Sequence, residues 1–252
     1  MRISKTGVKN WCLHKLLPSP CLAEEQQYSM LYSEHDTAGR PTDTLIALGL
    51  QISRRAAELK QRGFSGKMKT APRRFHTWPG EHYYFLAAAA DVLKPRLFVE
   101  IGTHLGYSAL SILETLPPEC ELVTYDVIPW QEYDNAAVDE NDFRSGRFSQ
   151  RIGDLVAGNN WEANREIFER AEVVFVDGPK DGRWEDQFIE LLDKTEWFRP
   201  RLVVFDDVRL WEMLKTWRRL KRPKLDLATF GHFTGTGLVE WTPPKTDSNT
   251  GV

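Results

Sequence analysis

Three short apolar runs, each ending on an acid or a glycine, constrain this chain most. They are Leu97-Phe98-Val99-Glu100-Ile101 before Gly102, Val173-Val174-Phe175-Val176 before Asp177, and Leu202-Val203-Val204-Phe205 before Asp206-Asp207. Continuous apolar runs of four or five residues suit strands buried on both faces. The intervening segments carry helical spacing, with helices expected over residues 83–93, 109–116, 161–170, 185–192 and 210–220. Further strands are expected over 122–125 and 150–152, and near 225–230 and 237–241. Strand and helix in alternation imply a parallel sheet covered on both sides, so the fold class is doubly wound α/β. In such sheets ligands bind beyond the carboxyl ends of the strands, so the acidic strand ends are where function is sought.

Upstream, residues 1–42 are polar and broken by Pro18, Pro20 and Pro41. Thr42 or Asp43 is placed to cap a helix carrying Leu45, Ile46, Leu48, Ile52 and Ala56, ending near Gly63. The expected organisation is a partly helical extension over 1–70, a catalytic domain over 71–245 and a flexible tail over 246–252. The extension is read as covering a site or joining two subunits of a homodimer. A long polar insertion occupies 130–146, and residues 230–237 read as a glycine-rich hairpin turn.

The formal charge of −3 gives no electrostatic reason to expect nucleic acid. The basic run Arg218, Arg219, Lys221 and Arg222 reads as a solvated helix end. Nothing approaches the roughly 20 apolar residues of a membrane span. Cys12, Cys21 and Cys120 lack metal spacing and cannot all pair, which suits a reducing, cytoplasmic setting.

At the first strand end, Gly102 permits a tight turn and Gly106 close packing at the helix start, with His104 between them. Dinucleotide binders place a second glycine there to approach a pyrophosphate; a histidine disfavours that ligand and leaves room for a nucleoside with an amino-acid tail. Asp126, ending the next strand, suits both hydroxyls of a ribose. Asp177 and the Asp206-Asp207 pair end adjacent strands, and converging carboxylates repel unless a cation joins them. All-oxygen ligands favour Mg²⁺ or Mn²⁺.

Val99-Glu100-Ile101-Gly102-Thr103 with Gly106-Tyr107-Ser108 resembles the first motif of the catechol- and caffeoyl-CoA-type O-methyltransferases. The resemblance runs over about residues 76–241. It implies a class I, Rossmann-like fold of seven mostly parallel strands that binds S-adenosylmethionine. It places Glu100 near the amino-acid tail with Tyr107 and Ser108 flanking the same end, Asp126 at the ribose and Gly153-Asp154-Leu155 at the adenine, with Gly102, Thr103, His104 and Gly106 also at the cofactor. Thr77-Trp78-Pro79-Gly80 resembles the family's loop over the cofactor, and Asp177 borders it. The resemblance further implies a divalent metal, Mg²⁺ above all, held by Asp177, Asp206 and Asp207, with Lys180 as base. Asp207 departs from the catechol-type pattern, which has Asn; an Asp-Asp pair resembles the macrocin-type sugar O-methyltransferases and tilts the acceptor toward a saccharide hydroxyl.

In the metal-assisted reading a neighbouring cation can depress the Lys180 pKa and let it accept the proton. Two alternatives stand beside it. One is a metal-independent methyltransferase using His104 or Lys180 as base. The other is a nicotinamide-dependent oxidoreductase, which His104 disfavours. Trp78, Trp130 and Trp211 are candidates to stack on an acceptor ring.

Overall fold

The computed structural model describes residues 39–72, 82–195, 201–227 and 234–241. Seven strands form one sheet: β1 (Leu97–Ile101), β2 (Glu121–Asp126), β3 (Phe148–Ile152), β4 (Val173–Val176), β5 (Arg201–Asp206), β6 (Lys224–Asp226) and β7 (Thr236–Trp241). Their order is β3-β2-β1-β4-β5-β7-β6. The first five run parallel, and β7 pairs antiparallel with both β5 and β6. This is the doubly wound α/β architecture expected from the alternating pattern.

Helix α1 (Asp43–Arg62) starts where Thr42 caps it, its hydroxyl accepting from the Leu45 amide at 3.0 Å. It stops at Gly63, whose φ of 76° lets its amide close on the Leu59 carbonyl at 2.8 Å. Leu45, Ile52, Ala56 and Leu59 face inward at helical spacing and share one core with Phe98, Phe175 and Leu238 of the sheet. Gly49 lets α1 approach β6, since a Cβ there would stand 2.8 Å from Leu225. α1 is thus packed into the main core. On the same face lie α2 (His82–Leu93), with a run of buried alanines, and α3 (Tyr107–Leu113).

The opposite face carries α5 (Asn160–Arg170), α6 (Arg183–Lys194) and α7 (Trp211–Arg219), beyond the short α4 (Glu140–Phe143) of the insertion. There Phe168, Phe188 and Trp217 pack on Val99, Val174, Phe205 and Trp241. Alternate residues of each strand go to opposite faces: Phe98, Phe175 and Val204 to one, Val99, Val174 and Phe205 to the other. Truncating a fully buried ring such as Phe175 to alanine costs about 3–5 kcal/mol at sites of this kind. At the end of α7, Arg219 pairs with Asp186 and the following Arg222 with Asp193. No helix among the described residues is long and apolar enough to cross a membrane.

Candidate active site

The strand order sets the site. β1 and β4 are neighbours, yet the chain leaves them toward opposite sides of the sheet, which opens a crevice at their carboxyl ends. The two-residue period carries Glu100, Thr124, Asp177 and Asp206 to the same face as Phe98, Leu122, Phe175 and Val204.

The turn after β1 is pinned on three sides. Gly102 has φ of 98°, and a Cβ there would stand 2.2 Å from the Asp177 carbonyl oxygen, so only glycine fits beside β4. The Gly102 and Thr103 amides donate to the Tyr125 carbonyl at 2.8 and 3.2 Å. The His104 amide donates to Asp126 Oδ2 at 2.8 Å, with His104 itself at φ of 44°. Gly106, at φ of 82°, lies where a Cβ would meet Val138 at 2.4 Å. The polar insertion therefore clamps the turn: Val138 packs on Gly106, Ala137 donates to the Leu105 carbonyl at 2.8 Å, and the Tyr133 ring meets His104 edge-on at 5.1 Å.

Glu100 lies beneath this turn, fully buried, and lines neither cavity described below. The Thr124 hydroxyl donates to its Oε2 at 2.7 Å and lies 2.8 Å from the Thr103 hydroxyl. Burial pushes the Glu100 carboxyl up to about 8, against the lowering effect of Ser108 and Thr124. Glu100 thus supports the turn from below.

Two cavities flank the turn and share Gly102, His104 and Asp177. The larger, about 380 Å³, is lined also by Asp126, Asp154, Leu155 and Trp184, with Gly153 at its edge. The smaller, about 240 Å³, is lined by Tyr83, Thr103, Gly106, Tyr107 and Ser108. Beyond its bond to His104, Asp126 accepts from the Ile128 amide at 3.1 Å, and a carboxylate retains further lone pairs for a ligand.

At the β4 and β5 ends the structure brings together every residue expected there. Ligand atoms of Asp177, Asp206 and Asp207 lie within 4.8 Å of one another. The Lys180 ammonium sits among them, 2.7 Å from Asp177 Oδ1, 3.0 Å from Asp207 Oδ2 and 3.4 Å from Asp206 Oδ2. Both Lys180 (φ 66°) and Asp207 (φ 58°) adopt left-handed backbone, a conformation that costs free energy and collects at functional sites. Glu185, fully buried, holds the Lys180 loop by accepting from the amides of Lys180 and Gly182, each at 2.9 Å. His82 Nδ1 lies 3.6 Å from Asp206 Oδ1, and the Thr234 hydroxyl donates to Asp207.

Burial pushes the Lys180 ammonium down, but Asp206, Asp177 and Asp207 outweigh it and hold the pKa above the ordinary lysine range. Asp177 is raised by desolvation, with Lys180 opposing. In this arrangement the lysine is itself the cation that relieves the three acids.

The tryptophans divide differently from expectation. Trp78 lies outside the described residues, as does the side chain of Trp211. Trp130 stacks on Phe143 at 5.6 Å and lines neither cavity. Among the described residues, Trp184 is the tryptophan at the cleft, its indole N–H donating to Asp154 Oδ1 at 2.8 Å. Sequence reading missed Trp184, Glu185 and His82. The Asp181-Gly182 turn just before the first two was the available signal, whereas nothing in sequence ties His82 to Asp206.

No family model matches the chain. It is similar to the rat protein called Transmembrane O-methyltransferase homolog, at 37% identity over 68 residues, or 27% of this chain and 25% of that protein. The mouse protein of the same name is 35% identical over 68 residues, with the same shares. The match spans about a quarter of the length of these curated relatives. Among solved structures, a Staphylococcus aureus protein described as a candidate caffeoyl-CoA O-methyltransferase superposes with a TM-score of 0.51 at 11% identity, covering 75% of this chain and 99% of that one. The chain therefore has the fold of the class I methyltransferases, the fold its glycine turn and strand-end acids resemble.

Proposed function

We propose that the chain is an S-adenosylmethionine-dependent O-methyltransferase acting on a hydroxyl of a small molecule or saccharide. One observation carries this reading: Asp177 lines the nucleoside-sized cleft and also belongs to the acid–lysine cluster, so a cofactor in the cleft would meet that cluster. In this reading Asp126 takes the ribose, Gly153, Asp154 and Leu155 border the adenine, and Thr103, Tyr107 and Ser108 line the cavity for the amino-acid tail. Trp78 is proposed as a further cofactor-binding residue by the family resemblance. Oxygen as the methyl acceptor accords with the name of the rat and mouse relatives.

The three acids suit a divalent metal. Their donors are all oxygen and lie close enough to share one ion, and three carboxylates against one ammonium leave two negative charges to balance. When bound, Mg²⁺ or Mn²⁺ would lower the pKa of an acceptor hydroxyl. Asp177, Asp206 and Asp207 would hold the ion, and a bound ion would help to orient an acceptor hydroxyl. Lys180 takes the acceptor proton only as a neutral amine; contact with fewer carboxylates moves its pKa toward that state. A second reading, methyl transfer without metal, is favoured by one feature: Lys180 already occupies the position of the cation.

Calorimetry with S-adenosylhomocysteine, followed by labelled methyl transfer to catechols and glycosides in Mg²⁺ or EDTA, tests both. Micromolar binding with transfer to oxygen is the expected result, and EDTA separates the two readings. Absence of binding to the folded protein would overturn both.

A further inference from the structure

The geometry points to Trp184 as a specificity-determining residue: by holding Asp154 it makes the cleft select a purine with an amino group at position 6 over one with a carbonyl there. The inference rests on the methyltransferase reading and assigns part of its selectivity to a residue outside the glycine turn and the acid cluster.

Asp154 Oδ1 accepts from the Trp184 indole N–H at 2.8 Å and from the Val156 amide at 3.1 Å. Those two bonds use both lone pairs of that oxygen and fix the plane of the carboxylate. Oδ2 makes no hydrogen bond among the described residues, so it remains as the acceptor available at the cleft. The anchor is rigid on its own side. The Trp184 ring stacks on Phe188 at 5.0 Å and 16°, Phe188 is fully buried, and the Trp184 amide donates to Asp181 Oδ1 at 2.9 Å. Trp184 and Asp154 both line the cleft, joining the start of α6 to the loop after β3.

An ionised carboxylate accepts hydrogen bonds and cannot donate them. A 6-amino group brings donors to it, whereas a 6-oxo group brings lone pairs against a fixed negative charge. Sites built to bond one polar group reject its replacement more strongly than apolar pockets reject an added methylene. A carboxylate free to rotate away would lose that discrimination.

The test is calorimetry on the full chain with S-adenosylhomocysteine and S-inosylhomocysteine. We expect wild type to prefer the adenosyl ligand by about tenfold or more. Trp184→Phe keeps the ring on Phe188 and removes the N–H; it should narrow the preference to within about threefold, mainly by weakening the adenosyl ligand. Asp154→Ala should narrow it likewise, and thermal melts establish that each variant is folded. A preference unchanged in folded Trp184→Phe, or equal binding of both ligands to wild type, would overturn the inference while leaving the methyltransferase reading in place. Failure of wild type to bind either ligand would overturn both.

Discussion

The Lys180 ammonium lies 2.7 Å from the carboxylate of Asp177, three residues before it, and reaches Asp206 and Asp207 from the same position. One side chain therefore serves as counterion to three acids from two strand ends. Any metal that binds there competes with it. In the metal-assisted reading the lysine would tune metal affinity as well as accept a proton, and separate measurements can distinguish the two roles.

Lys180→Met removes the internal competitor and leaves three acids without a cation. We expect the variant to melt lower than wild type in EDTA and to gain more from millimolar Mg²⁺. An ion at a hundredfold excess over its Kd adds about 2.7 kcal/mol when it binds only the folded state. Methyl transfer should fall while S-adenosylhomocysteine affinity stays nearly constant. Melting curves that ignore Mg²⁺ in both proteins, with activity that survives EDTA, would remove the metal from the mechanism.

Asp207→Asn should fold normally, because asparagine tolerates the left-handed backbone found at this position. The substitution removes a charge and keeps an oxygen, so metal binding and activity should persist at a reduced level. Asp207→Val, which is β-branched at positive φ, should instead lower stability by about 1–3 kcal/mol. Equal melting temperatures for the two variants would count against a strained backbone here.

Asp126→Ala should weaken S-adenosylhomocysteine at least tenfold, because hydrogen bonds to a charged group contribute about 1.5–3 kcal/mol each. The same substitution frees the His104 and Ile128 amides, so part of the loss reflects a loosened turn. Asp126→Asn keeps one acceptor and should fall between wild type and alanine. Calorimetry showing wild-type affinity in folded Asp126→Ala would remove the ribose from this position.

Glu100 supplies a pH test. Its folded pKa, raised to about 8, exceeds the value near 4.3 of an unfolded glutamate. The stability linked to its proton is fully present below about pH 4.3 and is lost as pH rises through about 8. Glu100→Gln should lack that dependence, so the difference in melting temperature between variant and wild type should change progressively from pH 5 to 8.5. A constant difference would mean that Glu100 titrates normally.

Much of this protein was legible in its sequence because local chemistry is short-ranged. Apolar runs of four or five residues could only be buried strands, Thr42 and Gly63 bracket α1 through capping geometry, and acids directly after strands lie at one edge of a parallel sheet. Gly102, Asp126, Asp177 and Asp206 are all of this kind. Other features depend on segments far apart in the chain, and no spacing rule connects those. Val138 occupies the space a Cβ on Gly106 would need, from 32 residues away. Trp184 reaches Asp154 across 30 residues, and Asp206 lies beside His82 of a different layer. Glu100 stands in the motif, and the period of its strand turns it inward under α2 and α3. The charge state of Lys180 was the least accessible to sequence. It depends on how many carboxylates surround one ammonium, and only the packing of β4 against β5 brings all three within reach.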